Sequence, residues 1–250
     1  MKRIASWLFI LVTSLVLFYQ CKKDSLPYGD LSPGVALTFD DASVDAWVNL
    51  LPMFQKYNAY GTFFICNACS DNQLDKSKLI RLYQAGNEIG SHSLHHYYLK
   101  EYLKVHTISE YYQFEVKPSV QFFDSLNIPI TSFAYPYGEH TWESDNYLSR
   151  YFNKLRGICS LHPSEDGAFI LHRNRIVVYG AYIDRASSNH LEDFKHAILM
   201  AREHRAVLVL VGHTPDSASE YAWTFPVSLL DSICNFIVQN KMKFYHMRDL

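Results

Sequence analysis

The sequence carries no excess of positive charge. Its 250 residues include 23 lysines and arginines against 25 aspartates and glutamates, so the formal net charge is −2. Binding to nucleic acid relies on a cationic surface, and we therefore expect no nucleic-acid partner. Internal repeats of 20 to 50 residues are also absent. With 48% hydrophobic and 19% charged residues, the composition is typical of one large globular domain rather than a disordered chain.

The N-terminus lacks an Ala-x-Ala cleavage site. Positions 2 and 3 are basic, an apolar stretch covers residues 4–19, and Cys21 follows it closely. This pattern is typical of an export signal, and the stretch is too short for a comfortable membrane-spanning helix. It resembles a bacterial lipoprotein signal, although Phe18-Tyr19-Gln20 departs from the usual small residues. We therefore expect residues 1–21 to be a signal segment and Cys21 to carry a lipid that anchors an exported, cell-envelope protein; an uncleaved N-terminal anchor is the alternative.

The sequence has a single Cys-x-x-Cys pair after Cys21. Cys66 and Cys69 form it, at the end of a predicted apolar strand. A zinc site built from cysteines usually needs a second such pair, and export makes disulfides permissible. We expect packed thiols or a local disulfide here rather than a metal site.

Predicted strands and helices alternate from residue 34 onward, after a polar linker at 22–33. Apolar runs such as 206–211 predict buried strands, and 3.6-residue periodicity predicts helices between them. The alternation predicts a parallel sheet or an α/β barrel. The predicted helices cover residues 45–57, 76–85, 108–126, 147–152, 191–204 and 227–239.

The first predicted strand ends in two acids. Residues 34–41 read Gly-Val-Ala-Leu-Thr-Phe-Asp-Asp, so an apolar run leads directly into Asp40 and Asp41. A desolvated carboxylate is costly unless it is paired or bound to a metal ion. In α/β folds, ligands bind at the C-terminal ends of the strands. The pair therefore predicts a functional site, with a simple exposed turn as the alternative.

Three histidines follow the third predicted strand. His92 and His96 are four residues apart, and His95 lies between them. On one helical turn or a tight loop, imidazoles at this spacing can face one point. One carboxylate with two histidines leaves coordination positions open, which is typical of a catalytic metal site. Ordinary surface histidines are the alternative.

Four motifs resemble, in order, those of a known family. They are Thr-Phe-Asp-Asp at 38–41, His-Ser-x-x-His at 92–96, Tyr-Pro-Tyr-Gly at 135–138, and a late apolar strand that ends in His213. The series resembles the polysaccharide deacetylase family, the NodB-like group known as carbohydrate esterase family 4. The resemblance covers residues 34–250. It implies an α/β fold, a distorted (β/α) barrel, and an acetylated polysaccharide or oligosaccharide substrate.

The resemblance also implies roles for single residues. Asp41, His92 and His96 correspond to the ligands of one divalent metal ion, zinc in the first place, with cobalt and nickel suited to the same donors. Asp40 corresponds to the general base, and His213 to the acid that protonates the leaving amine.

The Tyr-Pro-Tyr-Gly motif corresponds to a turn beside the substrate. The backbone N–H of Tyr137 matches the family's donor to the tetrahedral oxyanion. Gly138 would let the backbone approach the substrate closely, and we expect Tyr135 and Pro136 to lie in the substrate-binding site with it.

The sequence departs from the family at two positions. An arginine that pairs with the base usually precedes Pro-x-Tyr-Gly, but Ala134 occupies the matching position. Arg173 and Arg175 are candidates to replace it, and we expect Arg175 in the site; ordinary strand-edge charges are the alternative. Gly212 stands before His213, where the family often has leucine.

Two hypotheses for the function follow. The first is a metal-dependent hydrolase that removes N-acetyl or O-acetyl groups from a cell-envelope or extracellular polysaccharide. The second is a carbohydrate-binding protein on the same fold that has lost turnover, for which Ala134 is the main support. A hydrolase with a nucleophilic serine is a weaker third, because Gly90-Ser91-His92 lacks the Gly-x-Ser-x-Gly turn.

Overall fold

The computed structural model describes residues 31–66, 74–161, 167–170 and 172–250. The signal segment, Cys21, Cys69 and most of the linker lie outside these ranges, so the lipid anchor and the local disulfide stay predictions. Among the described residues, every helix is too short or too polar to cross a bilayer.

Seven parallel strands close into a barrel. The strands of the chain, in order, are β1 (Gly34–Asp41), β2 (Thr62–Ile65), β3 (Glu88–Ser91), β4 (Ser132–Ala134), β5 (Lys154–Ile158), β6 (Phe169–Ile170), β7 (Val177–Tyr182), β8 (Val207–Gly212), β9 (Thr214–Pro215), β10 (Thr224–Phe225) and β11 (Lys243–Tyr245). The barrel order is β1-β2-β3-β4-β5-β7-β8, and β8 pairs with β1 to close it. Strand β11 adds to β1, and β6 lies antiparallel to β8. The predicted α/β barrel is confirmed.

Helices connect the strands on the outside of the barrel. They are α1 (Val44–Val48), α2 (Leu51–Tyr57), α3 (Lys76–Gln84), α4 (Leu99–Tyr102), α5 (Ile108–Tyr111), α6 (Lys117–Asp124), α7 (Trp142–Leu148), α8 (Leu191–Glu203) and α9 (Val227–Gln239), with a π-helix at Tyr112–Val116 and 3₁₀ turns at Pro136–Gly138 and Met247–Asp249.

Three of the predicted helices differ from the observed ones. The helix predicted at 45–57 is two helices, because Pro52 lies in the first turn of α2, where a missing N–H is tolerated. The helix predicted at 108–126 contains the π-helix. The helix predicted at 147–152 was placed too late: α7 begins at Trp142, because the Thr141 hydroxyl accepts the Ser144 N–H and caps it.

Successive residues of β1 face opposite sides of the barrel wall. Val35, Leu37 and Phe39 pack with helix residues in the largest core cluster. Ala36 belongs instead to a second cluster of strand and C-terminal residues, which therefore fills the barrel interior. Asp40 has the same parity as Ala36, so its carboxylate points into the C-terminal end of the barrel.

The last residues of the predicted linker belong to the folded domain. Leu31 is fully buried in the interior cluster. The Ser32 carbonyl accepts a hydrogen bond from the Tyr245 hydroxyl, at 3.0 Å. The folded part therefore begins before the predicted boundary at residue 34.

Candidate active site

The C-terminal end of the barrel interior collects polar side chains from strands far apart in sequence. Asp40 is the last but one residue of β1, His92 follows β3, Arg156 lies on β5 and His213 follows β8. His213 has the parity of Val209, an interior residue of β8. All four side chains are buried. The alternation of strand residues thus explains why they meet.

Asp41, His92 and His96 form a donor cluster that could hold a metal ion. One ligand atom from each residue lies within 4.8 Å of the other two. The two Nε2 atoms of the histidines are 3.0 Å apart, and Asp41 Oδ1 lies 3.5 Å from His96 Nε2 and 3.8 Å from His92 Nε2. Asp41 reaches this group because its φ of 83° breaks the strand alternation that would separate it from Asp40.

The histidines of the cluster are held in the form that binds metals. His92 Nδ1 lies 2.8 Å from the Ala134 carbonyl, so Nδ1 carries the hydrogen and Nε2 offers its lone pair to the cluster. Burial lowers the pKa of His92 to about 4 and also lowers the pKa of His96. Both imidazoles are therefore neutral near pH 7, as metal ligation requires.

A tight loop, not a helix, presents His96. Ser93 and His96 have φ values of 63° and 58°, and the Ser93 hydroxyl accepts the His96 N–H at 3.1 Å. His95 turns away from the cluster: its N–H and its Nδ1 contact the two carboxylate oxygens of Glu115, at 2.9 and 2.8 Å. Glu115 lies in the π-helix and is buried.

Asp40 is paired with Arg156. The Nη2 of Arg156 donates to both carboxylate oxygens of Asp40, and neither side chain is more than 3% exposed. Burial by itself would raise the pKa of Asp40, but the charges of Arg156, His92 and His213 outweigh it and hold that pKa below its ordinary value. Asp40 is therefore ionised at neutral pH.

The prediction that Arg175 joins the site is wrong. Arg175 precedes β7, and its carbonyl accepts a hydrogen bond from Lys154, the first residue of β5, at 2.5 Å. Because the strands are parallel, both residues lie at the opposite end of the barrel. The cation that pairs with Asp40 is instead Arg156 on β5. Arg156 is in register with Ala134 on the neighbouring strand β4, the position where the family usually has its arginine.

His213 is oriented by Asp184, two residues after β7. Asp184 Oδ2 lies 2.8 Å from His213 Nδ1, and Oδ1 accepts the His213 N–H at 3.0 Å. Burial by itself would lower the pKa of His213, but the hydrogen bond to Asp184 and the charge of Asp40 raise it above its ordinary value. This arrangement leaves Nε2 of a readily protonated imidazole as the group that can act in the cleft.

Only one residue of the 135–138 turn lines the cleft among the described residues. The Tyr135 ring is fully buried, its hydroxyl donates to Asp145 at 2.8 Å, and Pro136 is also buried. A Cβ on Gly138, whose φ is 69°, would lie 2.6 Å from Ile158, so its close approach is to β5 rather than to a substrate. Tyr137, with a φ of 58°, is the residue that the turn presents. The expected placement of Tyr135, Pro136 and Gly138 in the binding site is thus wrong.

The cleft has a volume of about 330 Å³ and an aromatic lining. Beside the polar groups it is lined by Tyr98, Tyr137, Tyr182, Tyr221 and Trp223. A larger groove, of about 760 Å³, borders Asp184. The smaller cleft is the candidate active site, because it alone of the two contains the donor cluster.

Sequence reasoning missed several of these residues. Arg156 is an arginine in the middle of strand β5, between Leu155 and Gly157, and that rare position is an available signal. Asp184 ends the sequence Tyr-Ile-Asp at the end of β7 and repeats, with one acid, the pattern that identifies Asp40. Tyr98 and Trp223 lie on loops, and no local pattern assigns them to the cleft.

The polysaccharide deacetylase family model matches residues 30–152. Over 63 residues the chain is 41% identical to a chitin deacetylase from Arthroderma benhamiae, and 41% identical to the peptidoglycan-N-acetylmuramic acid deacetylase PdaC from Bacillus subtilis. The matched stretch is 25% of this chain but only 17% and 13% of those relatives. The chain thus matches less than a fifth of their length.

Solved structures share the fold over most of the chain. The catalytic domain of a peptidoglycan N-acetylglucosamine deacetylase from Eubacterium rectale has a TM-score of 0.56 at 16% identity, covering 89% of this chain and 92% of that one. The Xyl-CE4 domain of a multidomain xylanase from the hindgut metagenome of Trinervitermes trinervoides has a TM-score of 0.56 at 15% identity, covering 87% and 89%. A CE4 family pseudoenzyme from Bacillus anthracis has a TM-score of 0.58 at 14% identity, covering 88% and 65%. At these identities the structures show the fold alone; the family model, which matches residues 30–152, confirms the resemblance to the polysaccharide deacetylase family.

Proposed function

We propose that the chain is a metal-dependent deacetylase that removes N-acetyl or O-acetyl groups from a polysaccharide. One observation carries the proposal: a single cleft holds a buried, ionised carboxylate, a three-residue donor cluster and a histidine with a raised pKa. Hydrolysis of an amide needs a proton taken from water and a proton given to nitrogen. A pure binding protein needs neither group.

Asp41, His92 and His96 would hold the metal ion. Their fit rests on the donor chemistry, since two neutral imidazole nitrogens and one carboxylate converge with their lone pairs toward one region. When bound, a divalent ion lowers the pKa of water toward neutrality and polarises an acetyl carbonyl. We propose zinc first, with cobalt and nickel as alternatives for the same donors.

Asp40 is the general base in this proposal. Its carboxylate lies 3.9 Å from His92 Nε2, beside the donor cluster, and Arg156 keeps it ionised. It takes a proton from the water that attacks the acetyl carbonyl carbon. Arg156 also fixes the position of the carboxylate, because the pair is fully enclosed by protein.

His213 is the general acid. Its ring is held by Asp184 and lines the same cleft as Asp40. After the carbonyl is attacked, His213 gives a proton to the leaving nitrogen, and the bond between that nitrogen and the acetyl carbon breaks. The backbone N–H of Tyr137 remains our proposed donor to the developing oxyanion.

The alternative of a carbohydrate-binding protein without turnover loses its main support. It was motivated by Ala134, which leaves the base without the family's usual arginine. Arg156 supplies a cation to Asp40 from the neighbouring strand. We therefore favour the enzyme.

A substrate screen tests the proposal. Purified protein is incubated with N-acetylglucosamine oligomers, peptidoglycan and acetylated xylan, and released acetate is measured. We expect release from at least one substrate, its loss with a chelator, and its return with zinc, cobalt or nickel. Glycan binding without acetate release under any of these metals would favour the binding protein instead.

We also propose that the protein is exported and anchored by a lipid on Cys21. The support is the sequence alone: a basic start, an apolar run and a cysteine that ends it. Cys21→Ser should release the domain from the membrane fraction or leave the precursor unprocessed. An unchanged mature mass and distribution would contradict this.

A further inference from the structure

Two tyrosine rings stack face to face at one side of the cleft. The rings of Tyr98 and Tyr137 are parallel within 4°, with centroids 3.6 Å apart. Tyr98 is 50% exposed and Tyr137 is 46% exposed, although each ring covers one face of the other. Tyr137 also contacts His96, at 4.5 Å between centroids and a tilt of 56°. The uncovered face of the pair is therefore the outer face of Tyr98.

Contacts between the two segments that carry the tyrosines hold this pair in place. Tyr98 is the N-cap of α4 and follows the loop of His96 by two residues. The N–H of Lys100 in α4 donates to the Glu139 carboxylate at 2.9 Å, and the Lys100 ammonium lies 3.6 Å from its other oxygen. Glu139 comes directly after the turn that presents Tyr137. The two rings are thus held together by contacts between the segments that carry them.

The chemistry of the cleft indicates what the outer face of Tyr98 binds. A pyranose ring presents an apolar face of C–H groups with hydroxyls at its edge, and such a face packs well on a flat aromatic ring. The lining residues among the described part of the chain include no lysine or arginine. Side chains of aspartate, histidine, tyrosine and tryptophan favour a neutral sugar over an anionic one.

We propose that Tyr98 forms a sugar-binding subsite, which stacks on a pyranose ring next to the sugar whose acetyl group is removed. The proposal rests on the proposed deacetylase function and adds the preference for a neutral glycan of several sugars. Tyr221 and Trp223 line the same cleft from another segment of the chain.

The test uses the N-acetylglucosamine monomer, which has no neighbouring sugar, and its pentamer, with the full-length, metal-loaded protein. KM and kcat are measured for wild type, Tyr98→Ala and Tyr98→Leu, the last of which keeps apolar bulk without a flat ring. We expect both variants to raise the ratio of the pentamer KM to the monomer KM by about 3- to 10-fold, the usual worth of an aromatic contact.

Tyr97→Ala is the matched control. Tyr97 is the neighbouring residue, is 48% exposed, and contacts Tyr102 and His95 rather than the cleft lining. It should leave the KM ratio unchanged. Equal effects of the Tyr98 variants on the monomer and the pentamer, or a normal ratio in Tyr98→Leu, would overturn the subsite.

A binding measurement separates this proposal from the proposed function. Calorimetry of the pentamer with chelator-treated protein reports the subsite without turnover. If wild type releases no acetate but Tyr98→Ala and Tyr98→Leu weaken pentamer binding, the function fails and the subsite stands. If acetate is released and the variants bind like wild type, only the subsite fails.

Discussion

Asp40 and Asp184 are two buried carboxylates of the same barrel whose pKa values are shifted in opposite directions. Each lies at the C-terminal end of a strand and each is 2% exposed. Asp40 is paired with Arg156, a permanent cation, and its pKa is lowered. Asp184 is paired with His213, and burial raises its pKa although His213 bonds to it.

The difference lies in whether the partner can lose its proton. Arginine stays charged at every accessible pH, so Asp40 keeps its own negative charge and can accept a proton from water. Histidine titrates near neutrality, and the Asp184–His213 pair retains its proton to higher pH than an isolated imidazole. One buried pair is thus suited to act as a base and the other as an acid.

Removing the charge of Asp40 should have the largest effect. Asp40→Asn should cut acetate release by roughly 10²–10⁴-fold, the usual worth of one acid–base group, while the donor cluster still binds metal. The variant also leaves the Arg156 cation buried without its partner, which lowers stability. Activity and metal binding are therefore measured well below the unfolding temperature.

The double variant Asp40→Asn with Arg156→Met separates the two effects. Removal of both charges should recover much of the stability lost by Asp40→Asn, but no turnover. Near wild-type acetate release by Asp40→Asn would show that the assignment is wrong, and Asp41 would have to be considered as the base.

The two aspartates also mark how far the sequence predicts the site. Asp40, Asp41, His92 and His96 were found because their spacing is local: two adjacent acids at a strand end and two histidines four apart. The partner of Asp40 was not found, because a cation on β5 meets a carboxylate on β1 only through the register and closure of the barrel. The position of Arg175 near a late strand favours it in the sequence, but the residue precedes β7 and therefore lies at the end of the barrel opposite the site.

The helices, too, are predicted well where the signal is local in sequence and poorly where caps or packing decide. Helix α9 coincides with its predicted range of 227–239, because a 3.6-residue apolar pattern runs through it. The helix predicted at 147–152 failed, because its start is set by the cap at Thr141 rather than by apolar periodicity. The turn at 135–138 was predicted from motif residues, but which of its side chains reach the cleft depends on packing against β5.

Loss of the Asp184 carboxylate should have the next largest effect. Asp184→Asn removes the charge that raises the pKa of His213, so the alkaline limb of the pH–rate profile should move to lower pH. Acetate release at pH 7 should fall by roughly 10²-fold. Amide substrates should lose more than ester substrates, because an alkoxide needs its proton less urgently than an amine does. A pH profile identical to wild type would contradict the role of Asp184.

Glu115 is another buried carboxylate. It contacts His95, which lies on the same loop as His96, and it contacts neither His92 nor His96 directly among the described hydrogen bonds. Glu115→Ala removes both contacts to His95 and should weaken zinc affinity by about 10–100-fold, as loss of an outer contact at a metal site usually does. Glu115→Gln, which keeps an acceptor for the His95 N–H, should weaken it less. Zinc affinity is measured by competition with a chromogenic chelator. Equal affinities in both variants and wild type would limit Glu115 to a role in folding.

The smallest expected effect is an opposite pH dependence of stability for the two aspartate pairs. The pKa of Asp40 is lowered from its ordinary 3.8, so its pairing stabilises the fold above that pH and is lost as the pH falls through the folded-state pKa. The pKa of His213 is raised from its ordinary 6.5, so its pairing is fully present below pH 6.5 and is lost as the pH rises through the folded-state pKa.

Melting temperatures of chelator-treated protein, measured across pH, check this contrast. Asp184→Asn should melt below wild type by about 2–4 °C near pH 5.5, the shift expected for 1 kcal/mol in a domain of this size. The deficit should shrink as the pH rises through the pKa of His213 and the imidazole becomes neutral; a constant remainder reports the replacement of one acceptor oxygen beside His213 by an amide NH₂ group. For Asp40→Asn with Arg156→Met, any deficit should shrink in the acid direction instead. A deficit of Asp184→Asn that grows with pH would mean that Asp184 stabilises the neutral imidazole, and His213 could then not be the acid.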